Sequence, residues 1–105
     1  MNSRERFYQA VNHKEPDRIP CDLGSTHLTG IAYNAYLNLI NHLGINEGEV
    51  QFSDVIQQLA MPSEEVLNRF HVDFRGLFPL TSHNWAVYNQ LEDGGENWIY
   101  HDEWG

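Results

Sequence analysis

Asp22, Ser25, Thr26 and His27 crowd a carboxylate, two hydroxyls and an imidazole into one short polar stretch. If that stretch follows a strand of an α/β barrel, it lies where such barrels assemble their active sites, and Asp22 and His27 become candidate substrate contacts. The competing reading is that Asp22 and Thr26 satisfy backbone groups in a turn while His27 faces solvent. Asp73 and Arg75 bring a second carboxylate and a guanidinium, either to a cleft, with Asp73 as a third candidate substrate contact, or to an ordinary ion pair. His71-Val-Asp73 and His101-Asp-Glu103 each offer two metal donors, but neither has a zinc-site spacing and there is no His-Glu-x-x-His run. No metal site is therefore expected within the chain, and no cofactor. Gly94-Gly95 lacks the following helix and basic residue of a phosphate loop and reads as a turn. Cys21, the single cysteine, is expected to be a small buried apolar residue.

These residues need elements to position them. Ser3 is a suitable cap for a first helix with Phe7, Ala10 and Val11 on one face, stopping near His13 before Pro16. Ile19, Cys21 and Leu23 alternate as in a short strand, although Pro20 removes a ladder donor. Thr29 is placed to cap a second helix, in which Ile31, Ala35, Leu39 and Leu43 recur at four-residue steps, Tyr36 and Ile40 widen the stripe, and Gly44 ends it. The segment from Glu47 to Met61 suits a short helix from Ser53 or a packed loop. Ser63 caps a third helix, with Glu64 and Glu65 at its positive end and Val66, Leu67 and Phe70 directed to the core. Val72 to Phe78 reads as a second strand bent at Gly76. Trp85 to Leu91 and Trp98 to Trp104 flank Asp93-Gly94-Gly95 as the arms of a β-hairpin, the aromatics either packing there or lining a partner surface.

The chain of 105 residues fits one small domain at most, and 41% hydrophobic residues with 12% aromatic are enough to fold. Helices alternating with strands indicate α/β architecture. A closed barrel of that class takes about 250 residues, so the chain is expected to be the N-terminal fragment of a (β/α)8 TIM barrel. It would contribute a leading helix, the first strands and helices, and the hairpin. Fifteen acidic against six basic side chains give a formal charge of -9, which repels nucleic acid and anionic lipid. One cysteine excludes an intrachain disulfide, the opening residues lack a signal-peptide core, and no run approaches the roughly 18 apolar residues of a membrane span. A cytoplasmic setting is expected, with neither nucleic acid nor membrane as partner.

Five pieces, Ser3-Arg-Glu-Arg-Phe7, Glu15-Pro-Asp-Arg-Ile-Pro20, Asp22-Leu-Gly24, Val66-Leu-Asn-Arg-Phe-His-Val-Asp73 and Asp102-Glu-Trp-Gly105, occur in an order that resembles the N-terminal part of uroporphyrinogen decarboxylase-like proteins. That superfamily includes cobamide-dependent methyltransferases. The resemblance spans residues 1–105 as a partial domain and implies a (β/α)8 barrel with its cleft at the carboxyl ends of the strands. The decarboxylases set arginines from the loop after the first strand against porphyrinogen carboxylates, whereas Gly24-Ser-Thr-His-Leu-Thr-Gly30 has none. Their second-strand aspartate also has no clear match, since Leu80 and Thr81 stand where it is expected. Neutral side chains cannot replace the paired bonds of arginine to a carboxylate. The resemblance therefore implies a methyltransferase-like enzyme, acting on a small-molecule substrate by methyl transfer with a corrinoid. Zinc and corrinoid would belong to the full-length parent, and 105 residues alone are expected to be inactive. The alternative is a non-catalytic truncated module that self-associates or packs on a partner chain, as a possible homo-oligomer through its exposed sheet edge.

Overall fold

The computed structural model describes residues 1–79, 91–102 and 104–105. Helix α1 (Ser3–Val11) begins one residue earlier than expected, because Asn2 and not Ser3 is the cap. Asn2 Oδ1 accepts from the Glu5 N–H and Glu5 Oε2 accepts from the Asn2 N–H, both at 2.9 Å, so two free donors are satisfied reciprocally. The expected apolar face does not pack into the core: Phe7 and Val11 are exposed, and the residue α1 buries is Arg6. Phe7 does reach Phe74 edge-on at 5.7 Å.

Two short strands form where a short helix or a packed loop was expected, and a third takes the place of the expected first turn of the second helix. Strands β1 (Ile31–Ala32), β2 (Phe52–Asp54) and β3 (Leu59–Ala60) make an antiparallel sheet in the order β1-β3-β2. Ala60 in the middle strand pairs with Ile31 on one side and Phe52 on the other. The register shifts between Phe52 and Asp54, where the Ser53 hydroxyl donates to the Ala60 carbonyl at 3.3 Å. The turn that reverses β2 into β3 takes Gln58 to a positive φ of 54°.

Helix α2 (Tyr33–Leu43) starts after β1 and not at Thr29, which lies in a single 3₁₀ turn with His27 and Leu28. Gly44 adopts the left-handed conformation, φ 70°, and ends the helix as its sequence position implied. The buried face centres on Tyr36 and Ile40, with Leu39 at its margin, while Ala35 is exposed. These pack on Val50, Ala60 and Val66 to make the core, flanked by Leu23, Ile31, Tyr33 and Ile45. Tyr33 also stacks on Phe52, ring centroids 4.3 Å apart.

Helix α3 (Glu64–Arg69) is capped by Ser63, whose hydroxyl accepts the Val66 N–H at 3.3 Å. Val66 and Leu67 are buried, but Phe70 is exposed, because the helix ends there and His71 turns the chain at φ 52°. The cap is tied to the core through Tyr36. Its hydroxyl, on a residue with no exposed surface, donates to Glu47 and accepts the Ser63 N–H at 2.9 Å, and Ser63 Oγ donates to the same Glu47 oxygen at 2.6 Å. Burial, followed by the Glu47 bond, pushes the Tyr36 hydroxyl pKa up.

The two strands expected at Arg18–Leu23 and Val72–Phe78 do not form as ladders. Their backbones meet through Asp73 N–H donating to the Cys21 carbonyl at 2.8 Å. A Cβ built on Gly76 would fall 2.6 Å from the Ser25 carbonyl oxygen. Residue 21 beside 73 and residue 25 beside 76 mean that the two segments run side by side in the same direction. Pro20 withholds one donor and the Asp73 side chain takes another, which is why no regular ladder develops. Cys21 is exposed, contrary to expectation, as is Ile19. The hairpin at Asp93-Gly94-Gly95 is present as β4 (Glu92–Asp93) paired with β5 (Trp98–Ile99), and most of its expected first arm, Trp85 to Gln90, lies outside the described residues.

The fold is thus mixed α/β, with three helices and small antiparallel sheets among the described residues. Among them no helix is long and apolar enough to cross a membrane. Replacing Tyr36 by Phe removes the acceptor of the Ser63 N–H and the donor to Glu47. It is expected to lower unfolding stability by about 1–2 kcal/mol in urea titrations, whereas an unchanged midpoint would show the network to be energetically idle.

Candidate functional site

Two polar centres flank the paired segments. At their start, the Asp73 carboxylate has no exposed surface and is fully engaged. Its Oδ1 accepts from Arg6 Nη1 at 2.5 Å and Arg18 Nη2 at 3.0 Å, and its Oδ2 accepts from Arg18 Nη1 at 2.6 Å and the Cys21 N–H at 2.9 Å. Arg6 completes its fork on Asp17, at 2.7 and 2.9 Å, and donates to the Met1 carbonyl. Arg18 also donates to the His71 carbonyl at 2.9 Å. Burial would push the Asp73 pKa up, but the Cys21 N–H and then Arg18, Ser3 and Arg6 outweigh it and hold the carboxyl well below its ordinary range. The hydrogen bond from Arg6, with its charge, brings Asp17 down to about 2.

Asp73, one of the three residues singled out as substrate contacts, is therefore committed to four internal donors and is not aimed at open space. It does not pair with Arg75 either. Asp22 accepts the Ser25 N–H at 3.2 Å and the Ser25 hydroxyl, which closes the turn after the first segment. His27 is half exposed, with Nδ1 3.3 Å from Asp54 Oδ2 at the end of β2. The three are not brought together: each serves a different local structure.

At the far end of the two segments lies a cleft of about 230 Å³, which none of the three lines. Leu23, Gly24 and Ser25 form one wall, Met61, Pro62, Glu64 and Leu67 another, and Phe74 to Gly76 with Phe78 the third. Gly76 is required there, since a Cβ would strike the Ser25 carbonyl and the Phe78 ring within 2.7 Å. Arg75 supplies the charge. Its Nη1 donates to the Val72 and Phe74 carbonyls, each at 2.9 Å, and its Nε and Nη2 grip the Glu64 carboxylate at 2.7 and 3.1 Å. That bond draws the Glu64 pKa down and raises that of Arg75.

Sequence reasoning offered Arg75 either to a cleft or to an ion pair; it lines a cleft and also pairs, with Glu64, eleven residues away, and not with Asp73. No local spacing marks that pair. Among the described residues no three His, Cys, Asp or Glu side chains stand together as a metal could require. Comparison with protein-family models, with curated proteins and with solved structures returns no match.

Replacing Asp73 by Ala strips Arg6 Nη1, the Arg18 guanidinium and the Cys21 N–H of their shared acceptor, leaving Arg6 with Asp17 and the Met1 carbonyl, and should lower Tm by roughly 10 °C or more, measured by circular dichroism. Acid acts on the same centre. Unfolded Asp17 binds its proton near pH 3.9, whereas folded Asp17 resists it until about pH 2. The stabilisation is therefore complete above about pH 4 and is lost as pH falls towards 2. The Tm gap between the native protein and Asp17→Asn should be full at neutral pH and close across that window, and a pH-independent gap would count against the ion pair.

Proposed function

We propose that this chain is the opening part of a uroporphyrinogen decarboxylase-like α/β barrel enzyme of the methyltransferase branch, acting in the cytoplasm on a small molecule. The observation that carries the reading is the convergence of three separate motif pieces on one charge centre. Arg6 comes from Ser3–Phe7, Asp17 and Arg18 from Pro16–Pro20, and Asp73 from the end of Val66–Asp73. Together they pin a leading helix against the start of two co-directional segments, with a cleft at the other end. Co-directional segments with a cleft at their far end support the barrel reading, since such barrels bind substrate at the carboxyl ends of their strands. Ile19 at 85% and Leu77 at 100% exposure further fit segments that additional polypeptide covers.

The charge of the cleft favours methyl transfer over porphyrinogen decarboxylation. Arg6 and Arg18 are occupied at the opposite end, and Arg75, the arginine lining the cleft, already carries Glu64. A substrate with several carboxylates needs several free guanidinium groups. A methyl donor with little charge does not. Zinc and corrinoid would be supplied by other parts of the parent protein, and these residues would shape and orient the substrate end. The acidic surface leaves nucleic acid and anionic membranes as disfavoured partners.

A second reading, self-association without catalysis, is favoured by the hairpin, where Trp98 and Trp104 are 58% and 85% exposed. The two are separated by assaying the complete natural protein with cob(I)alamin and a panel of small O-, N- and S-methyl compounds under anaerobic conditions. The methyltransferase reading expects the methylcobalamin absorbance to appear with at least one of them. Loss of carboxyl groups from uroporphyrinogen III would reject the assignment. Inactivity in both assays, with light scattering showing concentration-dependent dimers, would select self-association.

A further inference from the structure

We propose that the cleft between Ser25 and Phe78 seats a small monocarboxylic acid with an apolar body, whose carboxylate takes the place Glu64 now holds on Arg75. The inference names a substrate class for the cleft and rests on the reading of that cleft as the substrate end of the barrel segments. Arg75 is prepared for the task. Two backbone carbonyls hold Nη1, which fixes the guanidinium plane, while Nε and Nη2 form a fork already gripping a planar carboxylate through two bonds, with Nη2 also reaching Asn68 Oδ1 at 3.3 Å.

Glu64 is a weak occupant of that fork. Its side chain is 67% exposed, and an exposed ion pair contributes little because water competes for both partners and the long side chain must be held in one rotamer. Exchanging it for another carboxylate is close to even in free energy. The balance is tipped by what the carboxylate carries. Leu23, Met61, Pro62, Leu67, Phe74 and Phe78 give the cleft apolar walls, so a hydrocarbon or aromatic body leaves water there and Glu64 swings into solvent at small cost. The charge count sets the class. One guanidinium in a chain of formal charge -9 balances one carboxylate, whereas a phosphate dianion or a polycarboxylate brings surplus negative charge into an acidic field. The volume, about 230 Å³, restricts the body to a small one.

The test uses phenylacetate and its neutral isostere phenylacetamide as probes on the complete natural protein, read by ligand-observed NMR titration. In the native protein phenylacetate should bind about 2- to 5-fold more tightly than the amide, because it must displace Glu64, and in Glu64→Ala about 10-fold more tightly, the difference one charge-assisted pair makes. Glu64→Ala removes the competitor and should tighten phenylacetate binding about 2- to 5-fold, leaving the amide unchanged. Arg75→Lys keeps the charge but not the fork, and should weaken phenylacetate about 10-fold. Because Glu64 is exposed, its variant stays folded even if Arg75→Lys does not. Equal binding of acid and amide, or acid binding indifferent to Glu64→Ala, overturns the proposal. A protein that binds as expected but transfers no methyl group rejects the function and leaves this site standing. One that transfers methyl groups yet ignores both substitutions rejects this site alone.

Discussion

A carboxylate with no exposed surface can stay ionised only if its surroundings replace the water it has lost. Asp73 meets that condition with two guanidinium groups and a backbone N–H, and the rest of the N-terminal architecture follows from where those donors originate. Arg6 lies on α1, Arg18 on the segment after it, and Cys21 further along the same segment. Satisfying one buried charge therefore fixes a helix and two chain segments relative to one another. The cost of burial is what makes the arrangement specific: any displacement of α1 leaves Arg6, itself buried, facing Asp73 at the wrong distance. A hydrophobic contact such as Phe7 on Phe74 adds area but tolerates sliding, and so cannot set the alignment alone.

The second half of the described fold is organised differently. Around α2 and the three-stranded sheet the core is apolar, with a polar network of Tyr36, Glu47 and Ser63 at its edge. This triad joins the start of α3 to α2, so α3 leaves the sheet at a defined angle towards Asp73. The cleft forms between these two regions. Its floor depends on Gly76, and its charge is set by an arginine anchored to backbone carbonyls. Rigid support on one side and an exposed, weakly held carboxylate on the other make it a place where exchange costs little.

Several elements were legible in the residues because their causes are local. Ser63 followed by two glutamates and an apolar stripe marks a helix start whatever surrounds it, and the left-handed Gly44 marks a helix end in the same way. The turn at Asp93-Gly94-Gly95 is another instance. Positions that depended on a distant partner were misread. Thr29 lost its role because β1 pairs with a strand about thirty residues later, whereas Asn2 took the cap from Ser3 for a local reason, the box that Glu5 completes. The sheet itself was invisible, since two-residue strands carry no period and exist only through their neighbours.

The sequence by itself determined an acidic, mixed α/β chain with its helix signals in order, and it displayed Arg6, Asp17, Arg18 and Asp73 without showing that they meet. Tertiary structure alone decided that Asp73 is an internal tie, that Asp22 and His27 belong to separate turns and contacts, and that Arg75 is bonded to Glu64 in the lining of a cleft. The reason is physical. Capping, turn formation and net charge depend on residues a few positions apart, whereas whether a charged side chain is buried, paired or open to a ligand depends on which distant segment packs against it.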